Sequence, residues 1–145
     1  MSMQILKIDT EKRRLGNFGE KRAVRYLRWR GYRILKRNFV TDQNEIDIIA
    51  RRNKTTVFVE VKTRTVGAEN PNEPRPASSV NAKKQRAIIK GARMFSAYYP
   101  SNTKKRFDVI EVYVIQNNGR YKAAEIKHLK GAFNLNTAYE HTERN

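Results

Sequence analysis

The sequence predicts an α/β (α+β) domain with element order α-β-β-β-α-β-β, a mixed central sheet flanked by helices. Three observations lead there. Helical and strand hydrophobic periods succeed one another along the chain. The strongest hairpin signal, Asn118-Gly119, falls late, between two alternating runs. The length, 145 residues, suits one domain that buries about 70% of the surface its unfolded chain exposes.

From Asp9 or Thr10 as N-cap to Arg30 the pattern is helical, with Ala23, Val24 and Leu27 on one face and Gly31 placed to stop it. Glu20 shares that apolar face, an unexpected place for a carboxylate on a merely solvated helix. Gly16 and Gly19 cost helix propensity but let the helix approach a sheet closely. Tyr32 to Phe39, Glu45 to Arg52 and Thr55 to Lys62 then read as a strand meander, the last with Val57, Val59 and Val61 on one face. Residues 63–78 hold Gly67, Pro71, Pro74 and Pro76 without a sustained period, which predicts a long loop.

Ser78 or Ser79 caps a second helix to about Tyr98, striped by Val80, Lys84, Ala87, Ile88, Gly91, Ala92 and Phe95. Its outer face is basic, with Lys83, Arg86, Lys90 and Arg93. Arg106 to Ile115 alternates as a strand, and Tyr121 to His128 returns after the Asn-Gly turn. Residues 1–9 and the polar stretch from Leu129 to Asn145 are expected to fray.

Lys and Arg number 31 against 14 Asp and Glu, a net charge of +17 spread through the whole chain. That charge belongs to the folded surface and attracts polyanions, nucleic acid first and a membrane surface only weakly. Without cysteine there are no disulfides, thiolate metal sites or Cys nucleophiles, as suits a reducing cytoplasm. No stretch approaches the ~20 apolar residues of a membrane helix, and Ile5-Leu6 is too short for a signal peptide, so a cytoplasmic protein is expected. His128 and His141 are expected to face solvent.

Strand pairing carries the chemistry. A hairpin closed by Asn53-Lys54 puts Arg52 opposite Thr55 and, counted back in step, Asp47 opposite Glu60, with Lys62 pointing the same way. Opposed like charges destabilise a sheet, so a cation between the acids or a raised pKa on one is expected. Oxygen ligands alone select a hard ion, Mg²⁺ or Mn²⁺, able to polarise a phosphate and activate a water. Lys62 would position or deprotonate that water or stabilise phosphate charge, and Glu20 could complete the shell. A one-residue slip would turn Asp47 to the other face.

The runs Gly16-Asn17-Phe18-Gly19-Glu20, Tyr26-Leu27, Gly31-Tyr32, Arg37-Asn38, Glu45-Ile46-Asp47-Ile48-Ile49-Ala50 and Val57 to Arg64, with Val80, Lys84 and Arg106-Phe107-Asp108-Val109, closely resemble the YraN family of bacterial proteins. That family is similar to a branch of the PD-(D/E)xK nuclease superfamily near archaeal Holliday-junction resolvases. The resemblance implies a restriction-endonuclease-like core, with Asp47, Glu60 and Lys62 as the motif's Asp, Glu and Lys, Glu20 as the helical acid and the Val61 carbonyl as a further metal ligand. Ile46 replaces the motif's Pro, and Asn44 stands where the family usually has Gly, which touches only the local turn.

Arg64, Lys83, Lys84 and Arg86 are the candidate phosphate contacts, against a solvated or packing role; Trp29, Tyr98 and Tyr99 are weaker candidates for base stacking. The role of Asp108 stays open. The expectation is an Mg²⁺-dependent DNA endonuclease, with branched DNA among its candidate substrates and an inactive nucleic-acid-binding module or an RNA-binding protein as rivals. No stripe marks a dimer face, though resolvase relatives pair to make two cuts, which leaves a homodimer open.

Overall fold

A computed structural model describes residues 3–42, 44–67 and 80–139. The elements are α1 (Met3–Trp29), β1 (Arg33–Val40), β2 (Glu45–Arg52), β3 (Thr55–Thr65), α2 (Ala82–Tyr98), β4 (Lys104–Asn117), β5 (Arg120–Phe133) and α3 (Leu135–Tyr139). They form an α+β fold around one mixed five-stranded sheet in the order β1-β2-β3-β4-β5, consistent with a restriction-endonuclease-like core. Only β3 and β4 run parallel, because α2 carries the chain back across the sheet between them; the other neighbours are antiparallel.

The β2–β3 register is the expected one, with Ile48 opposite Val59 and Arg52 opposite Thr55. Asn53 takes a left-handed φ of 53°, a conformation Asn tolerates better than most residues, and so closes the turn. Period-two alternation then sends Val57 and Val59 into a core with Ala23, Val24 and Leu27 of α1, and Phe58 into a second core with Ile88, Ala92 and Phe95 of α2. The two helices therefore cover opposite faces.

Gly19 sets how deep α1 sits. A Cβ there would lie 1.9 Å from Thr63 Oγ1 and 2.9 Å from Thr63 Cβ, whereas one on Gly16 would meet nothing within 4 Å. Gly19→Ala should therefore lift α1 off β3 and cost about 1–3 kcal/mol in urea denaturation. Gly16→Ala should gain up to about 1 kcal/mol from helix propensity. Equal effects at the two positions would contradict this packing.

Several expectations need correction. α1 begins at Met3, so Asp9 and Thr10 lie inside the helix rather than at its N-cap. β3 runs on to Thr65, because Thr63, Arg64 and Thr65 pair with Val112, Tyr113 and Val114; the expected loop cannot start at 63, and residues 68–79 lie outside those described. The cap of α2 is Asn81, whose side chain accepts from the Lys84 amide; Ser78 and Ser79 are also outside the described residues. Residues 129–139 are built into the fold, since Phe133 and Ala138 are buried in the α2 core.

His128 does not face solvent. Its ring, 4% exposed, bonds Asp108 Oδ2 at 2.8 Å and Tyr26 Oη at 3.2 Å. His141 lies outside the described residues. Asp108, fully buried, also takes two bonds at 2.8 Å from Arg106, which in turn donates to Tyr32 Oη. This network ties α1, the start of β1, β4 and β5 together. No helix among the described residues is long and apolar enough to cross a membrane.

Candidate active site

The β2–β3 ladder ends at Ile48–Val59, and just beyond it the Val61 amide donates to Asp47 Oδ2 at 2.8 Å. The Asp47 side chain thus fills the place where backbone pairing has stopped. Glu60 and Lys62 share by alternation the α2-facing side with Phe58, and Lys84 of α2 comes within 3.9 Å of Glu60 Oε1. Glu20 enters from α1. A cleft of about 330 Å³ opens there, lined by Glu20, Asp47, Glu60, Val61 and Lys62 together with Lys12 and Gly16. Acids from the two faces meet because the strands have parted.

All four ionisable positions singled out from the sequence, with Val61, are in this one cleft. Two residues the sequence reading missed join them. Oxygens of Glu20, Glu45 and Asp47 lie within 4.8 Å of one another. Asn38, with its amide nitrogen turned toward the acids, donates to Glu45 Oε1 at 2.7 Å and to Glu20 Oε2 at 3.3 Å. Glu45 was discoverable: it stands two residues before Asp47 on the same strand. Beside Lys62 in the β3–β4 register lies Glu111, 2% exposed and accepting the Tyr113 hydroxyl at 2.6 Å.

The cations compensate this charge poorly. Lys62 Nζ stands 3.8 Å from Glu60 Oε1, and Lys84 Nζ donates at 2.8 Å to Asn44 instead. Asn44 thereby holds Lys84 over the acids, and its carbonyl accepts from the Thr41 amide and hydroxyl. Glu60 Oε2 is buried and faces no donor. Burial, then the Asp47 charge, pushes the Glu60 carboxyl up to about 7, with Lys84 and Lys62 pulling the other way. Burial followed by Asp47 likewise raises Glu20 to about 7. Burial raises Asp47 too, against the Val61 amide.

A folded pKa above the ordinary 4.5 means that the folded protein keeps protons the unfolded chain has released. The stability these groups lend is present below the ordinary value and is lost as pH rises through about 7. In EDTA, Tm should therefore fall between about pH 5 and 8, and Mg²⁺ should recover part of the loss at the upper end. A Tm that rises over that window and ignores Mg²⁺ would contradict the cluster's strain.

The phosphate candidates divide. Lys84 belongs to the cleft, and Arg64 follows Thr63 on β3, half-buried. Lys83 and Arg86 do not reach it: they line a separate groove, where Arg86 donates to the Ala138 carbonyl at 3.0 Å. Trp29 and Tyr98 are exposed at helix ends, and Tyr99 packs on Phe95 with ring centroids 4.9 Å apart.

Residues 19–112, which span the cleft's acids and Lys84, match the uncharacterised protein family UPF0102. A UPF0102 protein of Alkaliphilus oremlandii is 45% identical over 127 residues, covering 83% of this chain and 98% of that protein. One from Caldicellulosiruptor bescii is 44% identical over 123 residues, with coverage of 83% and 98%. A relative in Chlorobium phaeobacteroides is 40% identical over 121 residues, with 82% and 93% covered.

Proposed function

The chain belongs to the uncharacterised protein family UPF0102, the YraN family, and from the cleft it carries we propose a metal-dependent endonuclease that hydrolyses DNA phosphodiester bonds, with branched or junction DNA as the favoured substrate. The observation that carries the reading is the convergence of Glu20, Asp47 and Glu60 on one cleft, with an orphaned oxygen on Glu60, in a protein of net charge +17. A fold surrounded by cations that still buries undercompensated acids is keeping them for something other than stability.

The residues fit a hard divalent ion, Mg²⁺ or Mn²⁺. Every side-chain donor is a carboxylate oxygen, and the Glu60 Oε2 atom lacks a donor that an ion would replace. When bound, the ion supplies Lewis-acid polarisation of the phosphate and a water of lowered pKa. Asp47 and Glu60 would hold it with the Val61 carbonyl. Glu20, held by Asn38, would complete the ion's shell or orient the attacking water. Lys62 and Lys84 offset charge on the scissile phosphate, and Arg64 steadies a neighbouring one.

A cleavage panel of duplex, single-stranded, flapped and four-way-junction DNA, with RNA counterparts, tests this. Cutting of DNA with Mg²⁺ or Mn²⁺ that stops in EDTA and in Lys62→Ala is expected. DNA bound equally well in EDTA but never cut would show an inactive binding module, and RNA preferred in every arm would reassign the substrate.

A further inference from the structure

The basic stripe on α2 is left over from this chemistry. Lys83, Arg86, Lys90 and Arg93 line a groove of about 810 Å³ with Ala87 and Tyr139, and among the described residues no acid lines it. At ~100° per residue the stripe lies roughly 140° round the helix from Lys84, on the side away from Glu60. The four cations cover about 15 Å, one at nearly every turn. Among the described residues none of Lys83, Lys90 and Arg93 makes an ion pair. Arg86 is different: the Ala138 carbonyl fixes its guanidinium 5.8 Å from the centre of the Tyr139 ring, and that ring is 42% exposed.

We propose that the α2–α3 groove is a second nucleic-acid site, which takes a single-stranded segment along the stripe with a base against Tyr139. One row of cations at turn spacing follows one phosphodiester backbone, whereas a duplex presents two. An exposed aromatic ring beside the row gives an unpaired base a stacking surface. An anionic membrane fits less well, because a face that enters a bilayer needs large apolar side chains between its cations, and among the described lining residues Ala87 is the only aliphatic one. A path along the stripe does not pass the acids, so the strand held here is a different stretch from the one in the cleft. This deepens the proposed function toward DNA with a single-stranded branch, but the binding itself needs neither metal nor cleavage.

The test is fluorescence anisotropy of a labelled oligothymidine in EDTA. Lys90→Glu with Arg93→Glu should weaken binding at least ~10-fold and flatten the salt dependence of log K by about 1.4, at roughly 0.7 per lost phosphate contact. Lys21→Glu with Arg25→Glu, the same charge change on exposed α1 positions, should do far less. Tyr139→Ala should weaken binding without changing the salt slope. Equal losses in the two charge reversals would show a diffuse field and overturn the site. So would unchanged oligonucleotide binding with loss of binding to anionic phosphatidylglycerol vesicles. If a charge reversal lowers Tm, the milder Lys90→Gln with Arg93→Gln replaces it, with the same ranking expected. Oligonucleotide bound along α2 by a protein that cuts nothing would remove the proposed nuclease and leave this site standing.

Discussion

Glu60→Gln is expected to lower metal-dependent cleavage by about 10²–10³-fold while making the metal-free protein harder to unfold. The two signs have one cause. Glu60 Oε2 is buried without a donor, and its carboxyl is pushed up to about 7 by burial and by Asp47, so at about pH 8 the ionised form opposes folding. The amide removes that charge, keeps the shape and can donate toward Asp47. The contacts it gives up, at 3.8 and 3.9 Å, are too long to be strong ion pairs. The stabilisation should fade by about pH 5, where the wild-type carboxyl is itself protonated. Single-turnover cleavage and thermal unfolding in EDTA at both pH values measure this. A variant that cleaves normally and unfolds more easily would make Glu60 a structural ion-pair partner.

Asp108→Ala is expected to cost about 3–5 kcal/mol, because it strands Arg106 and the buried His128 without their shared acceptor. Asp108 is 0% exposed and accepts from Arg106, His128 and the Gly131 amide, at 2.8 to 3.0 Å. Burial alone would raise its pKa, but these donors, His128 and Arg106 foremost, bring it down to about 2. With the folded value below the ordinary 3.8, the stability it lends is present above that pH and is lost as pH falls toward about 2. Asp108 does not line the cleft, so the folded fraction should cleave at the wild-type rate per molecule. Urea denaturation with activity scaled to folded protein checks both parts. A folded but inactive Asp108→Ala would move this residue from the scaffold into the chemistry.

What could be read from the sequence followed from local rules. Asn53-Lys54 set the β2–β3 register down to Ile48 and Val59, and one step beyond it Asp47 and Glu60 enter the same cleft. Gly19 signalled a close helix–sheet approach, and Thr63 is the atom group it makes room for. The failures came from long-range partners. His128 is buried because Tyr26, 102 residues away, and Asp108 close over it; still, its period-two step from Ile126, packed against the α1 core, pointed inward. Residues 129–145 look polar as a whole because of their charged end, yet Phe133 and Ala138 anchor the described part, 129–139. Glu45 and Asn38 join the acids at the β1–β2 edge, where Asn38 adopts a φ of 53° that pattern alone does not announce.

Mn²⁺ titration of the metal-free protein by calorimetry at about pH 7, beside Asp47→Asn and Glu60→Gln, decides whether these acids are a metal site at all. Saturable uptake with proton release, lost in both variants, is the expected result, the released protons being those that Glu20 and Glu60 hold at that pH. Wild-type protein that takes up no Mn²⁺, or variants that bind it as well as wild type does, would contradict it.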